Sequence, residues 1–525
     1  MPPRRRAFVL LVLAFALWPP RAPAQLREIP AQEVEDLLNR LQDIDPDVRR
    51  IAAIQVRNLP GTAYEAIEKA SRDGSVDAGA RAALQGAVPF LRARARQTKF
   101  HRENYQDNLR SALEAYDQVG KKDPKWDALA REAIALMTKP PALRPKGETD
   151  QTVVDAFKKA IDAGCDDPFI LYLSARAEIV LPNIDRPAVL RRHRHALFAL
   201  AESNYPADRK LGAAARYAKE FDTPEPVVMQ VCMKYLAETV SPKTPRRREY
   251  ISELVDMTYQ GLSKVRGNQE AFEEIYPVYA KGRPADDPGP YVFKGSRYTK
   301  YAWEARGNGS AATVLPEGWK RFRERLAVAR EALQKGWELD PDDARAATEM
   351  LTVVLGDGSG REELETWFKR AMDANPDNRD ACERKLRYLY PQWNGSHEEM
   401  IAFGRECLAT QNWWGPLPTI LVQVHEVIGN QLEDPRGYRA QKEVWADLKA
   451  VYGSFLDAFP DSPRVPWYRN RLAKWACECH QWADADKLLR GINEPDLYVF
   501  RSKAVFDYYR KKAARLGPEM EKGRS

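Results

Sequence analysis

Apolar residues recur at three- and four-residue steps through most of this chain, with polar residues between them, which is the spacing of amphipathic helices. Between Trp303 and Phe403 the pattern echoes itself at an offset of 35 residues, Leu333 to Asp342 returning as Phe368 to Asp377. At that offset Leu333 corresponds to Phe368, Gly336 to Ala371, Trp337 to Met372, Pro341 to Pro376, Asp342 to Asp377, Ala346 to Ala381 and Leu351 to Leu386. Small residues fall where paired helices would touch, and a Pro-Asp turn follows each hairpin's second helix. Units of this kind predict an all-α fold, a right-handed α-solenoid of helical hairpins, each packed on its neighbours. No stretch alternates apolar and polar residues for long enough to build a sheet.

The same reading divides the rest of the chain. Residues 31–95 predict two HEAT-like hairpins. The first runs from Val34 to Leu41, turns at Asp45-Pro46-Asp47 and continues through Ile51-Ala52-Ala53; the second spans Ala63 to Leu91 with Asp73-Gly74-Ser75 as its turn. Arg49 and Arg81 hold equivalent places and are expected to bridge neighbouring units. Residues 97–282 continue as tetratricopeptide-like hairpins, clearest where Ala156 to Gly164 leads through Asp166-Asp167-Pro168 to Leu171 and Arg176. Thr138 to Asp150, with its prolines, reads as a loop. Two basic clusters, Arg191 to His195 and Lys243 to Arg248, read as solvated. On a helix His193 and His195 point roughly 200° apart and cannot share a metal ion. Gly282 to Pro290, rich in Pro, Gly and Asp, is the clearest internal boundary. Residues 291–410 form a further tetratricopeptide-like unit around the 35-residue echo. Residues 411–515 close the chain with more hairpins, with Ser462-Pro463 read as a helix cap and first turn. Eleven of the 13 tryptophans lie at or beyond Trp303, which predicts the thicker core in that half.

Residues 1–24 change the electrostatic picture. Arg4-Arg5-Arg6, an apolar run from Ala7 to Trp18 and Ala22-Pro23-Ala24 have the order of a secretory leader, with Gln25 first in the mature chain. The apolar run is too short to span a bilayer. Removing the leader's four arginines takes the formal charge from +7 to +3. A long chain with so small an excess has no global attraction for nucleic acid. Export to the periplasm or beyond is expected, with no stable membrane insertion once the leader is gone. The six cysteines are sparse and irregularly spaced, and most fall at small-residue positions of helical patterns, so free buried thiols are expected.

From Ala302-Trp303-Glu304-Ala305-Arg306-Gly307 onward a specific string appears. It continues with Gly318-Trp319, Arg325-Leu326, Ala329 and Trp367-Phe368-Lys369-Arg370-Ala371, then Leu386 to Ser396, and ends at Phe403-Gly404-Arg405. Over roughly residues 295–410 this resembles the bacterial family catalogued as domain of unknown function 4034. Asn394 departs from the family, which more often has glycine there. The resemblance implies a tetratricopeptide-like fold and assigns no activity, cofactor or catalytic residue. Within the string Gly307 reads as a left-handed helix end. Ser396-His397-Glu398-Glu399 reads as a capping box, and Ser359-Gly360-Arg361-Glu362 as a second.

Chemistry is thin. His425-Glu426-Val427-Ile428-Gly429 opens like a zinc-protease helix, but glycine stands where the second histidine belongs. Cys477 and His480 share a helical face, Cys479 points away, and a zinc site would need two more ligands. Gly307-Asn308-Gly309 lacks the Gly-Lys-Ser/Thr of a phosphate loop. No nucleophile, base and orienting acid form a set, and no catalytic, cofactor or metal residue is assigned. The leading expectation is a non-enzymatic exported scaffold that binds a protein or peptide. Trp303, Arg306 and Trp393 are the candidate groove residues, while Trp367 and Trp393 also read as core. The alternatives are an enzyme or enzyme-associated module, metal-dependent at Cys477 and His480, and a cell-wall glycan binder using the tryptophan-rich half.

Overall fold

A computed structural model describes residues 27–522 apart from 141–143, 145–146 and 222–223. Residues 1–24, which the sequence reads as a leader, lie outside the described residues. All regular structure among those residues is helical. Helices α1 (Ala31–Leu41), α2 (Pro46–Arg57) and α3 (Tyr64–Ala70) pack on the first half of the long α4 (Ala78–Val119). Next come α5 (Asp127–Thr138), α6 (Asp150–Asp162), α7 (Pro168–Glu178), α8 (Arg186–Glu202), α9 (Ala207–Lys219), α10 (Pro226–Thr239), α11 (Arg248–Arg266) and α12 (Asn268–Gly282). Then follow α13 (Pro288–Arg306), α14 (Pro316–Leu339), α15 (Ala344–Asp357), α16 (Arg361–Ala374), α17 (Arg379–Tyr388), α18 (His397–Ala409) and α19 (Thr419–Gln431). The chain closes with α20 (Pro435–Arg439), α21 (Lys442–Ala458), α22 (Val465–Glu478), α23 (Trp482–Arg490), α24 (Leu497–Phe500) and α25 (Lys503–Lys522).

Consecutive helices pair, and every second helix touches the next in its own layer: α5 with α7, α9 with α11, α11 with α13, α13 with α15, α15 with α17, and α17 with α19. This is an α-solenoid of helical hairpins. The 35-residue echo has a direct structural cause. Asp343 caps α15 by accepting from the Arg345 amide at 2.9 Å, and its counterpart Asn378 caps α17 by accepting from the Ala381 amide at 3.1 Å. Leu333 and Ala371 are fully buried, as are Leu351 and Leu386. At Gly336 the helices come so close that a Cβ would lie 2.9 Å from a Val292 methyl.

The turns at Asp45-Pro46 and Asp166-Asp167-Pro168 form as helix caps. Asp45 accepts from the Asp47 amide at 2.8 Å, and Asp167 from the Phe169 and Ile170 amides at 2.9 and 3.1 Å. All six cysteines are unpaired and buried. The turn at 283–287 between α12 and α13 lies next to the division between two hydrophobic cores, and α13 contributes to both. Asp287 caps α13, whose Phe293 and Tyr301 join the core of the preceding half while Val292 and Ala302 join the core of the following half.

Several local expectations fail for identifiable reasons. The division at 95–97 falls inside the single unbroken helix α4, although the core that this helix joins does change along it: residues up to Leu91 pack with α1 to α3, and those from Ala112 with the helices that follow. Arg49 and Arg81 do not bridge units; each curls onto carbonyls of its own turn, Asp43 and Ile44 for the first, Asp73 and Gly74 for the second. Ser359 is not a helix cap, since Gly360, at φ +96°, occupies that position and the Ser359 hydroxyl instead meets Asp357 and Arg330. Only half of the Ser396 box forms: Ser396 accepts from the Glu399 amide, while the Glu399 carboxylate faces Arg361 at 3.4 Å. Gly307 has the expected positive φ of +75°, but its ψ of 178° is extended and not helical. At the C-terminal side α22 starts at Val465, so Ser462-Pro463 lies in the preceding turn.

The largest departure is long-range. The N-terminal hairpins fold back onto the C-terminal half, and Ile54 of α2 joins the core formed by α13 to α25. Gln55 donates to the Ala458 carbonyl, Asn58 donates to Gln411 O at 2.8 Å, and the Asn58 Oδ1 accepts from the Trp413 and Trp414 amides at 2.7 and 2.8 Å. At the centre of this contact Arg94 is fully buried and all five of its N–H groups are used. Nε and Nη2 hold Asp377 at 2.9 and 2.8 Å, Nη2 also reaches Asn412 Oδ1 at 3.0 Å, and Nη1 reaches the carbonyls of Arg57 and Leu59. The Trp414 ring lies 4.9 Å from the same guanidinium. Farther along α4, the basic loop Lys243 to Arg248 is solvated only in part: Lys243 and Arg248 are exposed, but Arg246 reaches Asp107 and Asn108, and Arg247 reaches Glu103 at 3.1 Å. The acids of α4 draw it in.

Candidate functional site

Trp303 and Arg306 stand three residues apart on the last turn of α13, so they share a face. Trp393 follows α17 in a turn where its amide donates to Tyr390 O at 2.8 Å. The structure brings all three together. The Trp303 and Trp393 rings meet edge to face at 5.6 Å, and Arg306 lies over Trp303, Trp319 and Trp393 at 5.7, 5.5 and 5.2 Å. Phe322 and Arg387 complete the stack on Trp303. Arg306 is itself tied down, donating to Gly307 O and Gly309 O at 3.1 and 3.2 Å.

This cluster is half-buried and packs on the core of the C-terminal half. The chain's own guanidiniums cover the ring faces that a stacking ligand would need, and each such contact is worth about 0.5–2 kcal/mol to the fold. One polar feature is left over: the Trp303 indole N–H is buried without a hydrogen-bond partner among the described residues. Trp367 is buried as expected, donating to Glu363 and stacked under Arg370.

The cavities lie on the inner layer, lined mainly by α5, α7, α9, α11, α13, α15, α17 and α19. A cavity of about 450 Å³ runs between α11, α13 and α15, with Asp256, Arg297, Arg345 and Glu349 on its walls. It shares Asn375, Asn378 and Asp380 with a second cavity of about 310 Å³ between α17, α19 and α22. Two more, of about 260 and 170 Å³, lie nearer the N-terminus and share Met137, Arg176 and Arg216. Sequence reasoning did not single out these residues, although their regular return on alternate helices was a usable signal.

His193 also departs from expectation. It is buried between the rings of Tyr172 and Tyr217 while Arg191, Arg192, Arg194 and His195 face out. Burial, with the charges of Arg176 and Arg216 added, pushes its pKa down to about 4, so the ring is neutral. The nearby Ala213 backbone acts the other way, favouring the charged ring by more than either arginine charge opposes it, but makes no hydrogen bond of acceptable geometry.

The residues considered for chemistry are structural in their placement. His425 is buried, bonded to Tyr438 Oη at 2.8 Å and Asp447 Oδ2 at 3.2 Å, with Arg405 on the same carboxylate. Burial lifts Cys477 and Cys479 to about 12, which keeps both as thiols, while His480 lies exposed against Trp482. No group of three or more potential metal ligands occurs among the described residues. No described helix is long and apolar enough to cross a membrane. No family model matches this chain, and no curated protein matches it.

Proposed function

We propose that the protein is an exported helical-repeat scaffold that holds a protein or peptide partner along its inner layer. The observation that carries the reading is the continuity of the two larger cavities, about 450 and 310 Å³, through Asn375, Asn378 and Asp380. Together they make a trough walled by alternating acids, arginines and amides, with apolar floor residues such as Val292 and Val422. Such a surface offers an extended chain hydrogen bonds and side-chain niches at once. The N-terminal leader supports export. The HEAT-like and tetratricopeptide-like patterns, and the resemblance to domain of unknown function 4034, support a scaffold in which no reaction is assigned.

The test is positional crosslinking in the producing cell. A photoreactive residue at Asp380, in the trough, is expected to capture one discrete partner. The same residue at Lys369, on the exposed face of α16, is expected to capture none. Adducts at neither position, or the same adducts at both, would overturn the reading.

A further inference from the structure

The paired cavities at the N-terminal side carry an inference independent of the partner trough. Arg176 of α7 lines both, and so does Arg216 of α9. Arg216 has an acid, Glu253, at 3.0 Å. Arg176 has none within ion-pair distance among the described residues, and the Arg216 charge, with burial, holds its pKa below the ordinary arginine value. The other acids on these walls are engaged: Asp150 with Arg144 at 2.7 Å, and Glu220 with Arg186. The walls thus carry more positive than negative charge, and one guanidinium has its fork free.

A second observation points into the same space. His193 is 2% exposed, lines the larger cavity, and neither ring nitrogen has a hydrogen-bond partner of acceptable geometry among the described residues. Leaving a buried polar group unpaired costs about 1–3 kcal/mol, and native folds rarely accept this without a water, ion or ligand to meet it. The remaining walls are apolar: Met137, Val153, Ile179, Val180 and Met257. A polyphosphate would leave these surfaces unused. A carboxylate on a compact apolar body would use all three features at once.

We propose that this cleft binds a small organic carboxylate, with its oxygens on the Arg176 fork beside Arg216, a hydrogen bond to His193, and its apolar body against Met137, Ile179 and Met257. Arg–carboxylate pairing of this kind is bidentate and strengthened by partial burial. The size of the larger cavity, about 260 Å³, admits a body of a few carbon atoms and little more.

The experiment is calorimetric or NMR titration of the purified full chain with three probes: N-acetyl-leucine, its neutral amide, and inorganic phosphate. Saturable binding of the acid is expected, at least tenfold tighter than that of the amide or of phosphate. Arg176→Gln should weaken it at least tenfold, and this variant should fold because Arg176 has no ion pair to lose. Val180→Asp, at a rim residue that is 64% exposed, should weaken it several-fold through repulsion without touching the core. Absence of saturable acid binding, equal binding of acid and amide, phosphate as the tightest probe, or indifference to both substitutions would each overturn the proposal. None of these outcomes bears on crosslinking at Asp380.

Discussion

The contact that closes the chain on itself predicts a specific energetic signature for Arg94→Met. The guanidinium is fully buried and makes five hydrogen bonds, two of them to Asp377, whose side chain is only 5% exposed. Methionine fills much of the volume but leaves a carboxylate buried without its cation. Asn412 Nδ2 still donates to Asp377 at 2.9 Å, which offsets only part of the loss. Breaking one partner out of a buried pair costs about 3–5 kcal/mol. Most domains have 5–15 kcal/mol in total, and solenoids lose structure locally before they lose it globally. The damage should therefore localise. Residues 46–60 and 410–415, on the two sides of the contact, should gain hydrogen exchange by two or more orders of magnitude, while α6 to α9 stay protected. The double variant Arg94→Met with Asp377→Leu removes both charges and should recover most of the loss. A single-variant cost below about 1 kcal/mol, or exchange that rises evenly along the chain, would refute the assignment of Arg94 as the closing contact.

Other consequences are as direct. Gly61→Ala places a Cβ 2.3 Å from the Arg94–Ala95 backbone, so it should destabilise the N-terminal hairpins by about 1–3 kcal/mol in urea melts and raise exchange at the same interface. His193 has a folded pKa near 4 and an unfolded value near 6.5, so the unfolded state takes up more protons between them; stability is full above about pH 6.5 and falls by on the order of 3 kcal/mol as pH drops towards 4. Comparing melts with His193→Phe over that window should show a flatter pH dependence in the variant. Leu351→Ala, at a fully buried position of the repeat, should cost about 2–5 kcal/mol in the same melts. Arg306→Ala removes the cation above three indoles and should cost roughly 1–2 kcal/mol, with a shift in tryptophan fluorescence that Arg321→Ala, at an exposed surface ion pair, does not cause.

What could be read in advance was whatever repeats over short distances. Asp343 and Asn378 cap their helices, and Ala346 and Ala381 pack at helix crossings, because each hairpin solves the same local problem. The Trp303–Arg306–Trp393 grouping was also legible, since two of the three share a helix face. His193 was misread although the signal existed. Val189, His193, Ala196, Leu197 and Leu200 form one apolar stripe, and the arginines around the histidine drew attention to the other face. Arg94 gave no such sign. It stands among Arg92 and Arg96, and periodicity identifies its face without identifying Asp377, 283 residues away, as what that face meets.

The fold-back changes how the inner layer should be understood. An open solenoid flexes as a spring because only neighbours touch. Here α4 acts as a strut with four charged fastenings: Arg94–Asp377, Arg96–Asp342, Arg246–Asp107 and Arg247–Glu103. They are not equivalent. Arg96 and Asp342 are 46% and 73% exposed, so salt screens that pair and it contributes little. Arg94 and Arg246 are 0% and 3% exposed, with acids 5% and 11% exposed, and salt should scarcely reach them. The strut is therefore held chiefly by two buried arginine contacts along its middle stretch, at residues 94 and 107. It should persist at ionic strengths that dissolve the surface pairs.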